Sequence, residues 1–100
     1  MDARRVARTV ARTVVVAIGD GLHARPAALF VRLATQQAAA VTVRRPGVEP
    51  VPATSMLGVL SLCVRAGDEV TLEADGPDAV AAVDALAGYL TAPPATDGAP

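Results

Sequence analysis

The chain has a single histidine in 100 residues, set in a stretch with the parts for one kind of chemistry. Residues 19 to 34 read GDGLHARPAALFVRLA. His23 follows a glycine turn, Arg25 lies two residues on and Pro26 three. From Ala24 to about Gln37 the apolar residues Leu29, Phe30, Leu33 and Ala34 recur at helical spacing, while Arg25, Arg32 and Gln36 fall elsewhere. This spacing predicts an amphipathic helix with His23 at its N-cap. Pro26 then sits in the first turn, where its missing N–H removes only a donor that has no intrahelical partner. The amides of Ala24 and Arg25 point out of the helix end. A helix N-terminus carries roughly half a positive charge and readily takes phosphate. Arg25 adds a guanidinium whose donors match phosphate oxygens. An imidazole titrates near neutrality, and a positive helix end favours its neutral, nucleophilic form. Nucleophile, anion cradle and balancing charge together suit covalent phosphoryl transfer through a phosphohistidine. A plain cap or a solvated side chain is the other reading of such a histidine, and spacing alone leaves it open.

Other chemistries lack their residues. One His and one Cys cannot supply a usual zinc set, so no metal is expected. A serine-hydrolase or cysteine-protease site would need this same histidine as its base. Cys63 lies in an apolar context that suits packing. No glycine-rich loop of the Walker type is present, so nucleotide hydrolysis has no motif. The net charge is −1, and all nine cationic side chains are arginine. A dedicated nucleic-acid surface would be basic, so no nucleic-acid partner is expected. A lone cysteine cannot form an internal disulfide, and the reducing cytoplasm is its natural compartment.

The elements that must position His23 can be read in order. A length of 100 residues allows one small domain with one core. That core should be thin and aliphatic, since the chain has one Phe, one Tyr and no Trp. Residues 9–18 are rich in β-branched side chains, with Val14, Val16 and Ile18 on one strand face. AVTVRR at 40–45 reads as a strand, PGV at 46–48 as a turn and EPVPA at 49–53 as a proline-limited edge strand. SMLGVLSL at 55–62 reads as a short helix capped by Ser55. Residues 65–74 give a turn and a strand in which Val70, Leu72 and Ala74 alternate. Pro77 suits the first turn of a last helix, with Val80, Val83, Ala87 and Leu90 along one face. The order βαββαβα predicts an α+β fold, a four-stranded, mostly antiparallel sheet covered on one face by three helices. Residues 9–92 form the domain, 1–8 an N-terminal extension and 93–100 a disordered tail. The arginine-bearing start is no export signal. Arg8 and Arg12 interrupt it, and Thr13 to Ile18 is too short for a signal core or a membrane span. A misplaced start codon would also account for residues 1–8.

GLHARPA at 21–27 and SMLGVLSL at 55–62, in that order, carry a resemblance. The chain resembles the HPr family, the histidine-containing phosphocarriers of the bacterial phosphoenolpyruvate-dependent sugar phosphotransferase system. The resemblance runs from about Thr13 to Leu90. It implies an open-faced β-sandwich and a carrier rather than a turnover enzyme, with no cofactor. It implies that His23 accepts a phosphoryl group on Nδ1 from phosphorylated enzyme I and passes it to a histidine on the IIA domain of a sugar permease. Arg25 would steady the group, helped by the amides of Ala24 and Arg25, and Pro26 would fix the first turn. Docking would use an apolar patch of Ala24, Ala28, Met56, Leu57 and Leu60. Core packing on a short helix is an equal reading for Leu57 and Leu60. Ser55 matches the family's regulatory serine, although a helix cap explains a serine there as well. The implied protein is a cytoplasmic monomer without membrane insertion, and a regulatory kinase or transcription regulator is a further partner type. Two alternatives keep the fold: a nitrogen-related or dihydroxyacetone-kinase phosphorelay, and a regulatory docking module. The chain departs from the family in three places. The segment from Val43 to Ser55 is one residue longer, PATS lacks the usual lysine before the serine, and Cys63 replaces a frequent glycine. If position 63 is left-handed, a non-glycine there costs about 1 kcal/mol.

Overall fold

The computed structural model describes residues 9–19 and 21–92. The N-terminal extension at 1–8, Asp20 and the tail at 93–100 lie outside the described residues. Four strands and three helices follow in the predicted order: β1 (Thr9–Val15), α1 (Ala24–Thr35), β2 (Val41–Arg44), β3 (Val51–Pro52), α2 (Met56–Ser61), β4 (Glu69–Asp75) and α3 (Ala79–Thr91). The strands form one sheet in the order β1-β4-β2-β3, with every neighbouring pair antiparallel. This is the α+β open-faced sandwich. β3 shrinks to two residues because Pro50 precedes it and Pro52 is its second residue, and a proline cannot donate to a ladder.

Alternation decides which face is covered. Val16 from the end of β1, Val70, Leu72 and Ala74 from β4, and Val41 and Val43 from β2 are all buried. The helices supply Phe30 and Ala34 from α1, Val59 from α2, and Val83, Leu86, Ala87 and Leu90 from α3. Phe30 is the only aromatic side chain fully buried among the described residues, so the core is aliphatic. Each Val, Leu or Phe side chain so removed from water contributes about 1.5–3 kcal/mol. The other face is open. Thr71 is its buried member, sharing a 2.8 Å hydrogen bond with Thr13 across β1 and β4.

Three expectations need correction. Pro77 lies two residues before α3, outside its first turn, and Asp78 takes the N-cap position. Val80 is 51% exposed, because the buried stripe of α3 runs through Ala79, Ala82 and Val83 and leaves Val80 outside it. Cys63 is exposed rather than packed.

Candidate functional site

The site begins where β1 ends. Val16 N–H donates to the Asp68 carbonyl at 2.9 Å, and Gly67 N–H donates back to the Val16 carbonyl at 2.8 Å. The chain then turns sharply, with Gly21 N–H on the Ile18 carbonyl at 2.9 Å. Gly21 has φ +85° and is buried against the loop that follows α2. A Cβ at this position would lie 2.4 Å from the Val64 carbonyl oxygen and 2.5 Å from Arg65 Cα. Only glycine fits both the dihedral and the space. Leu22 N–H then donates to that same Val64 carbonyl at 2.9 Å, and the Leu22 side chain is buried. His23 follows directly.

His23 occupies the N-cap of α1 with extended backbone, φ −106° and ψ −170°. Its side chain makes no capping hydrogen bond and is exposed. Its carbonyl accepts the first helical bond, from Ala27 N–H at 2.8 Å. Ala24, Arg25 and Pro26 fill the first turn. Pro26 has no N–H, so the amides of Ala24 and Arg25 are the two donors of this turn without an intrahelical acceptor. Ala24 and Arg25 are exposed, and no acidic residue stands in the first turn to compete for the helix end. From below, the Tyr89 hydroxyl of α3 donates to the Pro26 carbonyl at 3.1 Å. The Tyr89 ring lies 6.3 Å from that of Phe30. This arrangement can present a nucleophilic imidazole beside an oxyanion-binding helix mouth.

α2 packs against α1 and β3 and brings the second motif to the same side. Ser55 is its N-cap, with Oγ accepting from Gly58 N–H at 3.0 Å. Ala28 of α1 is exposed. Met56 and Leu60 are half-buried against the core, whereas Leu57 is 82% exposed. Core packing therefore does not explain Leu57. Cys63, just past the Leu62 C-cap of α2, has φ +52°, the left-handed conformation expected of its glycine-like position.

Two contacts near the site carried no sequence signal. Tyr89 reaches Pro26 across 63 residues, and Arg45 meets Asp68 across 23. Asp68 accepts from the Arg65 backbone N–H and from Arg45, and these bonds hold its carboxyl below the ordinary aspartate value. Burial pushes the Tyr89 phenol up. Among the described residues, no group of three or more His, Cys, Asp or Glu side chains could hold a metal ion. No described helix is long and apolar enough to cross a membrane.

Residues 10–92 match the family model described as the PTS HPr component phosphorylation site. The chain belongs to the HPr phosphocarrier family. Curated HPr relatives agree over most of their length. The phosphocarrier protein HPr of Streptomyces coelicolor is 46% identical over 76% of this chain and 82% of its own. That of Haloferax volcanii is 48% identical over 84% of this chain and 96% of its own. The crystal structure of HPr from Bacillus anthracis superposes with a TM-score of 0.79 at 37% identity, covering 83% of this chain and 98% of that one. HPr proteins are phosphocarriers of the phosphotransferase system, and this chain is a member of that family.

Proposed function

We propose that the chain relays a phosphoryl group from phosphorylated enzyme I to the IIA domain of a sugar permease, held in between as a phosphohistidine on His23. The observation that carries this reading is the exposed imidazole at the N-cap of α1, beside Arg25 and a first turn without acidic residues. The Nδ1 lone pair of neutral His23 attacks the phosphorus carried by the enzyme I histidine. The new N–P bond forms as the old one breaks, and its electron pair returns to the donor imidazole. The three phosphoryl oxygens lie towards the amides of Ala24 and Arg25 and the Arg25 guanidinium, which balance their charge. Pro26 keeps the first turn in place. Delivery to IIA is the same exchange reversed on a new acceptor. The protein is then a substrate at both steps and acts in the cytoplasm, where both partners meet it.

Docking uses Ala24 and Ala28 of α1 with Met56, Leu57 and Leu60 of α2. An 82% exposed leucine on a six-residue helix packed against α1 supports that reading. The test is labelling with enzyme I and radiolabelled phosphoenolpyruvate. The chain should become an acid-labile, base-stable phosphoprotein, and His23→Ala should not. Label retained by His23→Ala would overturn the assignment.

A further inference from the structure

Arg45 and Asp68 belong to neither motif, yet they meet behind the loop that carries His23. Arg45 lies just past β2 and Asp68 just before β4. One guanidinium nitrogen, Nη1, donates to Asp68 Oδ2 at 2.9 Å and to the Leu62 and Cys63 carbonyls at 3.3 Å each. The same Oδ2 accepts the Arg65 backbone N–H at 2.9 Å. The two side chains therefore hold residues 62–65 at both ends, including the left-handed Cys63. Between the held residues is Val64, whose carbonyl accepts Leu22 N–H and lies against Gly21. Leu22 is the residue before His23. The side chains of Arg45 and Asp68 are 34% and 31% exposed, and a pair that exposed contributes little stability as charges alone. What it supplies is a fixed place for one carbonyl.

We infer that Arg45 and Asp68 are positioning residues for phosphoryl transfer at His23, fixing the Val64 carbonyl and through it Leu22 and the direction of the imidazole. This rests on His23 being the phosphoryl acceptor. Transfer between two histidines on separate proteins depends on alignment, and a small misplacement of the attacking atom is costly. All three bonds come from one nitrogen, so a lysine ammonium with three donors can replace them, whereas an uncharged chain of similar length cannot.

The test compares Arg45→Met, Arg45→Lys and Asp68→Asn in the full chain. Two quantities are read. The first is exchange of the Leu22 amide with solvent in the unphosphorylated protein. The second is the kcat and KM for phosphorylation by enzyme I. In Arg45→Met, Leu22 exchange should rise and kcat should fall, each about tenfold, while KM stays within twofold because the docking patch is intact. Arg45→Lys should stay within about twofold of the parent in both, since the ammonium keeps the donors. If Arg45→Met does not fold, Asp68→Asn carries the test with the same expected pattern. Unchanged Leu22 exchange, unchanged kcat, or a lysine variant no better than methionine would each overturn the inference. His23→Ala is labelled in parallel. Label retained there sinks the acceptor reading, while the Leu22 exchange, measured without phosphate, still judges the clamp.

Discussion

At the scale of single residues, the site depends on what Gly21 lacks. It needs a positive φ and a surface flush with the Val64 carbonyl, and any Cβ violates both. Gly21→Ala should lower stability by about 2 kcal/mol, seen as a fall in the thermal midpoint. It should also slow labelling of His23 beyond what the lost stability explains. Cys63 is the opposite case. It holds φ +52° with a side chain that gains nothing from burial, so Cys63→Gly should stabilise the chain by roughly 1 kcal/mol. A midpoint that falls in that variant would show that the thiol makes a contact worth more than the strain. Both positions illustrate what sequence can show. The glycine turn before His23 is visible as letters, and so is a cysteine at a glycine-like position. The close approach of Gly21 to Val64 is not, because 43 residues of chain separate them and only the closed fold brings them together.

The short helix α2 poses the question at the scale of elements. Its six residues amount to less than two turns, too few for periodicity to say which side faces the core. That is why Leu57 and Leu60 looked alike as letters, and why the structure separates them into an exposed and a half-buried side chain. The cap was legible, because a serine before a run of helix formers has a local mechanism. Ser55→Ala should cost about 1 kcal/mol through the lost bond to Gly58, measured as a denaturant midpoint shift at constant slope. Leu57→Ser should leave stability within about 0.5 kcal/mol, as expected for an exposed position. It should raise the KM for enzyme I if α2 docks the partner, and an unchanged KM would remove Leu57 from the docking surface. The long amphipathic α1 is legible almost to its ends, because its apolar residues recur at helical spacing. The start of α3 is less legible, since a proline suited to a first turn also suits the turn before it, and the buried stripe runs through Ala79, Ala82 and Val83 rather than Val80.

For the whole molecule, the element order and the aliphatic core followed from alternation and composition. The contacts that tie the ends together did not. Arg45 and Asp68 are two ordinary charges in the sequence, and Tyr89 is one of its two aromatics, until the sheet order β1-β4-β2-β3 sets their neighbourhoods. The pH dependence of stability belongs here. The Asp68 carboxyl is held below its ordinary value by the Arg65 amide and by Arg45. A group depressed on folding contributes fully above its unfolded value and loses that contribution as pH falls through its folded value. The gap in thermal midpoint between the parent and Asp68→Asn should therefore be constant from neutrality down to about pH 5 and close below about pH 4. A gap that does not depend on pH would mean that the amide loses a contact other than the charge.

One consequence of the sheet order concerns how the protein is made. Thr9 and Asp75 share a hydrogen bond across 66 residues, and among the described residues β1 has no sheet neighbour but β4. β1 must wait for β4. The loop of His23 waits with it, because its acceptors on Val64 and Asp68 are also late in the chain. Pairings this distant in sequence form slowly and close together. A nascent chain stalled after α2 would display GLHARPA without the surface that gives it shape, so the histidine becomes a built site only once Val64 and β4 have been made.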